Sequence, residues 1–112
     1  MNKRLSKQLE ELGMTSRVSS VYLTLLQEGV CGATNVARKL DRPKSSVLDD
    51  LNWLAKQGFI SRHKKRNAFV FDADPSLLQT SLKKKRREIE NLEDKAGRLA
   101  AELDTMYQLP NK

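Results

Sequence analysis

The sequence predicts an α+β fold that is mostly helical, built from short helices and one basic hairpin and extended by a single long helix. Three observations carry that prediction. The stretch LDRPKSSVLDDLNWLAKQGFISRHKKRNAFVFDAD, Leu40 to Asp74, reads as a helix, a glycine stop and two short strands. A short helical segment and a three-residue turn lead into it, which is a helix-turn-helix. From Asp74-Pro75 onward, apolar residues recur at alternating spacings of four and three without a slip, the mark of a coiled-coil helix. Helix-turn-helix, glycine stop and basic hairpin together make a winged helix over residues 1–74, and the apolar seam makes a second region over residues 75–109.

Taken in order, Asn2 to Leu12 is a first short helix, with Leu5, Leu9 and Leu12 on one side and Gly13 breaking it. Thr15 caps the next helix, which carries Val18, Val21, Tyr22, Leu25 and Leu26 inward and stops at Gly29. Val30 to Gly32 is a brief extended link. Ala33 to Leu40 is a third helix with Val36, Ala37 and Leu40 inward, and Asp41-Arg42-Pro43 turns the chain into the fourth. Pro43 suits the first turn of that helix, where a missing N–H costs nothing. Val47, Leu48, Leu51, Leu54 and Ala55 then line one face at 3.6-residue spacing. A basic last turn followed by Gly58 ends the helix. FISRH and AFVFD are the two expected strands, with KKRN as the polar turn between them.

Asp74 caps the last helix and Pro75 opens it. Its seam is Leu78, Leu82, Lys85, Ile89, Leu92, Ala96, Leu99, Leu103 and Met106, polar only at Lys85, and no breaker except Gly97 falls before Pro110. At 1.5 Å per residue such a helix is on the order of 50 Å long, too long to fold back on so small a body. The residues expected to form a dimer interface are Leu82, Ile89, Leu92, Ala96, Leu99, Leu103 and Met106. In a parallel pair Glu88 faces Glu93 of the partner, a like-charge contact that leans the seam toward an antiparallel pair.

Composition narrows the function. In 112 residues only 38% are hydrophobic and 5% aromatic, so the core is thin and association is a natural source of stability. The formal charge of +7 favours a polyanionic partner such as nucleic acid. A single cysteine, Cys31, excludes an intramolecular disulfide and suits a reducing cytosol. The charged N-terminus has no apolar centre and is no secretory signal, and no apolar run approaches the roughly 18 residues a membrane span needs. With one histidine, His63, and one cysteine there is no zinc ligand set, and neither metal nor cofactor is expected. Without a phosphate-binding glycine loop or a nucleophile and base at working spacing, an enzyme is not expected either.

Two groups of residues are candidate DNA contacts. Arg62, His63, Lys64, Lys65 and Arg66 sit in the hairpin with no acidic residue among them, as a wing that grips phosphates would; the plain alternative is a solvated tip. Lys44, Ser45, Ser46 and Asp49 lie at the exposed start of the fourth helix, whose N-terminal residues reach base edges in such folds. Serine donates or accepts and so specifies no base. Asp49 either accepts from cytosine N4 or orients a nearby basic side chain. Asp50 points about 100° away from it, so the two are no acid/base pair. Trp53 falls opposite Leu51 and Leu54, where packing on protein is favoured over a contact to DNA. Cys31, with nothing basic beside it, reads as core rather than as a redox sensor. The run Lys83 to Arg87 reads as a solvated helix face, with flanking phosphates or an acidic partner as the other uses.

With these pieces in order, the chain resembles the winged-helix domain of TrmB-type transcriptional regulators, within the wider MarR-like group. The resemblance covers roughly Leu9 to Met106. It rests on LGMTSRVSSVYLTLLQEG for the first core helix, RPKSSVLDDLNWLAKQGFIS for the recognition helix and its exit, and FDADPSLL leading into the heptad helix. Asp50 and Trp53 depart from it, standing where polar or basic residues are more usual. Sugar-sensing members carry a further domain after the coiled coil. The chain here stops at Lys112, so the resemblance implies DNA binding and dimerisation without sugar sensing, and no small-molecule effector is indicated. The expected function is sequence-specific binding of double-stranded DNA as a homodimer, by a transcriptional regulator of the cytoplasm and nucleoid. The alternative is a winged-helix module for protein–protein interaction that docks through its coiled coil.

Overall fold

Local capping chemistry sets where each element starts and stops. The computed structural model describes residues 2–108, with α1 at Lys3–Glu11, α2 at Ser16–Glu28, α3 at Ala33–Leu40, α4 at Lys44–Gln57, β1 at Ser61–Lys65, β2 at Ala68–Asp72 and α5 at Ser76–Asp104. The Asn2 side chain accepts from the N–H groups of Arg4 and Leu5 at 3.0 and 3.2 Å, and Thr15 Oγ1 accepts from that of Val18 at 3.1 Å. Each bond satisfies a donor that a helix start leaves without a partner. Pro43 stands one position ahead of the expected first turn: it is the cap, and its carbonyl accepts from the Val47 N–H at 3.2 Å. Asp74 Oδ1 accepts from the N–H and hydroxyl of Ser76 at the head of α5.

Gly58 closes α4 in the left-handed region at φ 84°, with Phe59 N–H donating to Leu54 and Gly58 N–H to Ala55, each at 3.0 Å. That bonding pair turns the chain sharply back toward the core. A β-carbon at Gly58 would also stand 3.1 Å from Cβ of Ser81, so both conformation and space call for glycine.

The turn aims Phe59 and Ile60 inward, where both are buried. The first strand therefore does not start at Phe59 as expected. It runs Ser61–Lys65 and pairs antiparallel with β2, from Ser61 opposite Asp72 to Lys65 opposite Ala68. Lys64 and Lys65, expected in a four-residue turn, belong to the ladder. The turn contracts to Arg66-Asn67, with Arg66 in the left-handed region at φ 57°. A two-residue loop suits the twist of paired strands and leaves fewer backbone groups unpaired. At the inner end of the hairpin, Cys31 and Phe71 exchange N–H···O bonds of 3.2 and 2.8 Å. The link of residues 30–32 thus adds a bridge to the sheet.

α2 is the centre of the first unit: it packs against α1, α3, α4 and β2, while α3 packs on α4. Val21, Leu25, Val36, Val47, Leu51, Leu54, Phe59 and Phe71 are fully buried between these elements. An element covered on so many sides buries more than one stripe. Ser19, Leu23 and Thr24 are inside, whereas Leu26, expected inward, is exposed, as is Leu5 on α1.

The backbone divides into two units after Ser81. In the first, Leu78 packs against the core and Ser81 is buried, its hydroxyl donating to the Leu78 carbonyl at 3.1 Å. In the second, Leu82, Ile89, Leu92, Leu99 and Leu103 are all exposed. α5 is 29 residues, so about 43 Å long. It ends at Asp104, short of the expected seam end. Met106 lies in a closing turn of i to i−3 bonds, its N–H donating to Leu103 at 2.9 Å. Met1, Pro110 and residue 109, where the second region was expected to end, lie outside the described residues.

Candidate nucleic-acid interface

The start of α4 presents Lys44, Ser45 and Asp49 to solvent, as its apolar pattern requires. Ser46 is different. It is half-buried, and its Oγ accepts from Arg42 Nη2 at 2.7 Å. The same Arg42 nitrogen donates to Asp50 Oδ2 at 2.8 Å. Arg17, from α2, donates through Nε to Asp50 Oδ2 at 3.2 Å and through Nη2 to Oδ1 at 3.1 Å. Asp50 is only 3% exposed, so a carboxylate there has lost its water and is stable only because two guanidiniums replace it. Two cations around one anion leave the cluster net positive. The Arg17 side chain remains 64% exposed against 19% for Arg42. Arg42 is an internal brace for the turn into α4, and Arg17 is a cation held at the surface beside that helix.

Asp49 was expected either to read a base or to orient a basic side chain; it is Asp50 that does the orienting. The signal was in the spacing. Val47, Asp50, Leu51 and Leu54 are the buried residues of α4, and a carboxylate on a buried stripe demands a cation. Which cation was not readable, since Arg17 lies 33 residues away. Trp53 packs on protein, as expected. It is half-buried against the core, its ring centroid 6.3 Å from that of Phe59.

The wing is anchored to α4 by Arg62, which donates to Asn52 Oδ1 at 3.0 Å and lies over the Phe69 ring at 4.6 Å from its centroid. These contacts hold the guanidinium against the hairpin. A groove of about 670 Å³ runs between the second half of α4 and β1, with Lys56 and Arg62 among its walls. His63, Lys64, Lys65 and Arg66 continue outward, all exposed. Asn52 was not among the expected site residues. Other titratable groups sit in the core: burial, then Glu28, raises the Cys31 thiol above its ordinary range, and burial, then Asp74, does the same to the Tyr22 hydroxyl. Among the described residues no cluster of His, Cys, Asp or Glu is placed to hold a metal ion, and no helix is long and apolar enough to cross a membrane.

A helix-turn-helix closed by a two-stranded wing, with cations along the wing and at the ends of α4, defines a winged-helix protein. Residues 9–76 match the family described as sugar-specific transcriptional regulator TrmB, and the chain belongs to that family. It is 33% identical over 60 residues to the HTH-type sugar sensing transcriptional regulator TrmBL1 of Pyrococcus furiosus. The match takes in 54% of this chain and 18% of that protein, so the chain spans under a fifth of its relative's length. Among solved structures, TrmBL2, described as an archaeal chromatin protein with a novel mode of DNA binding, superposes with a TM-score of 0.66 at 22% identity, over 92% of this chain and 42% of that one. Reduced AbfR bound to DNA gives 0.56 at 20% identity, over 85% and 80%. At such identities these two likenesses speak to the fold.

Proposed function

We propose that the protein binds double-stranded DNA sequence-specifically, as a homodimer, to regulate transcription, and does so in the cytoplasm on the nucleoid. The observation that carries this reading is the wing. Its exposed cations Lys64, Lys65 and Arg66 continue from Arg62, which is tied to the recognition helix through Asn52. In this reading Arg62, Lys64, Lys65 and Arg66 neutralise phosphates, while Lys44, Ser45, Ser46 and Asp49 face base edges. The Ser46 oxygen already accepts from Arg42, which leaves its proton to offer a base or phosphate and one lone pair to accept from a base. Leu82, Ile89, Leu92, Ala96, Leu99, Leu103 and Met106 join two copies. The DNA-bound state of AbfR supports the partner class, and membership of a transcription-regulator family supports the role.

The test is the salt dependence of duplex binding. If each protomer neutralises about four phosphates, log K falls with log salt at a slope near −7. A slope shallower than about −2 overturns the DNA reading, and co-purification of another protein on the long helix would then install the interaction module in its place.

A further inference from the structure

We infer that α5 pairs with α5 of a second copy in an antiparallel register that sets Ile89 beside the partner's Leu92. The inference rests on the homodimer reading above and adds to it an orientation and a register.

The seam, exposed except at the half-buried Lys85, assigns Leu82, Ile89, Ala96 and Leu103 to heptad a positions and Lys85, Leu92 and Leu99 to d positions. Arg86, Glu93 and Ala100 are then e residues, and Glu88, Lys95 and Glu102 are g residues. Charges at e and g flank the apolar seam and set partner orientation. Parallel helices bring g of one chain to the following e of the other. That puts Glu88 against the partner's Glu93 on both sides of the pair, and Lys95 against the partner's Ala100. No attractive contact results.

In antiparallel helices an a residue lies beside a d residue of the partner, and flanking contacts run e to e and g to g. With Ile89 beside the partner's Leu92, Leu82 meets the partner's Leu99 and Lys85 meets the partner's Ala96. Ala96 is small enough to leave room for the lysine stem, whose ammonium reaches outward. The flanks become Arg86 with the partner's Glu93 and Glu88 with the partner's Lys95, each formed twice by symmetry. The two glutamates that repel in the parallel pair both acquire basic partners.

Neighbouring registers lose this. Sliding by one heptad one way sets Glu93 against the partner's Glu93 and Lys95 against the partner's Lys95. Sliding by one heptad the other way sets Arg86 against the partner's Arg86 and Glu88 against the partner's Glu88. A slide of two heptads keeps only Lys95 with the partner's Glu102. Within one chain Arg86 donates to Glu90 at 3.2 Å, with the Arg86 side chain 82% exposed, a pair weak enough to share its guanidinium.

Two measurements on the full chain test this. Glu93→Arg places an arginine beside the partner's Arg86 in the inferred register, so the dimer dissociation constant should rise on the order of tenfold, and adding Arg86→Glu should restore it. In a parallel pair Glu93→Arg instead relieves repulsion and tightens the dimer, which overturns the inference. For disulfide trapping, Leu82→Cys and Leu99→Cys chains are prepared separately, with the buried Cys31 left in place. Mixed chains should form a covalent heterodimer while neither forms a covalent homodimer. Homodimers of each alone mean a parallel pair, and trapping of Leu92→Cys with Leu103→Cys instead means another register; both overturn the inference and leave the homodimer standing. A wild-type chain that sediments as a monomer overturns the homodimer and the inference together.

Discussion

Arg42 and Asp50 meet at 2.8 Å beneath the start of the recognition helix, and the same guanidinium nitrogen holds Ser46 at 2.7 Å. The geometry of the turn into α4 is therefore set from inside by an ion pair, while Arg17 completes the carboxylate's shell from the surface.

Removing one partner of a buried pair leaves the other charged and dry. Asp50→Ala should cost about 3–5 kcal/mol in urea denaturation, since Arg42 Nη1 is already buried without a hydrogen-bond partner. Arg17→Ala should cost less, about 1–3 kcal/mol, because it strands Asp50 Oδ1 while Arg42 still holds Oδ2. Equal costs for the two substitutions would show that Asp50 is not held from within.

Phosphate contacts position and base contacts specify. Lys65→Ala with Arg66→Ala should weaken binding to all duplexes alike, whereas Ser45→Ala should change which sequences are recovered from a random pool. Ser46→Ala should change preference and also lower stability by about 1 kcal/mol, through loss of the Arg42 bond. Altered preference in the wing variant with none in either serine variant would reverse the assignment.

Ile89 and Leu92 are each 64% exposed, and Leu99 is 48% exposed. Ile89→Asp or Leu99→Asp would bury a carboxylate in the proposed seam at a cost on the order of several kcal/mol per chain. Sedimentation should show monomers at micromolar concentration, with loss of tight binding to an operator of two half-sites one helical turn, or a multiple of it, apart. A variant that stays dimeric would remove the seam from the interface.

Cys31 and Tyr22 both have pKa values raised mainly by burial. Raised values mean that the folded state keeps protons the unfolded chain gives up. Their contribution to stability is therefore complete below the ordinary thiol range and declines as pH rises past roughly 8.5. The melting temperature should fall above that pH, and Cys31→Ala should remove the lower part of the fall. Alkylation of Cys31 should be at least about tenfold slower in the folded protein, because the thiolate is the reactive form; equal rates would place the thiol outside the core.

What the sequence determined by itself was whatever neighbours along the chain decide. Asn2, Thr15 and Asp74 cap helices through side chains two or three residues from the N–H groups they accept from, and Gly58 stops α4 because it accepts a positive φ. The winged helix and the long heptad helix followed from such local rules and from periodicity. The tertiary structure alone decided what depends on distant partners. Phe59 and Ile60 left the expected strand because the core had room for them, and Cys31 joined the sheet by pairing with Phe71. Ser46 was fastened rather than free, and Asp50 became the hub of the turn, because Arg17 and Arg42 converge on it from two other segments. A helical period shows that a residue is inside; which charge meets it there is set by how the helices cross.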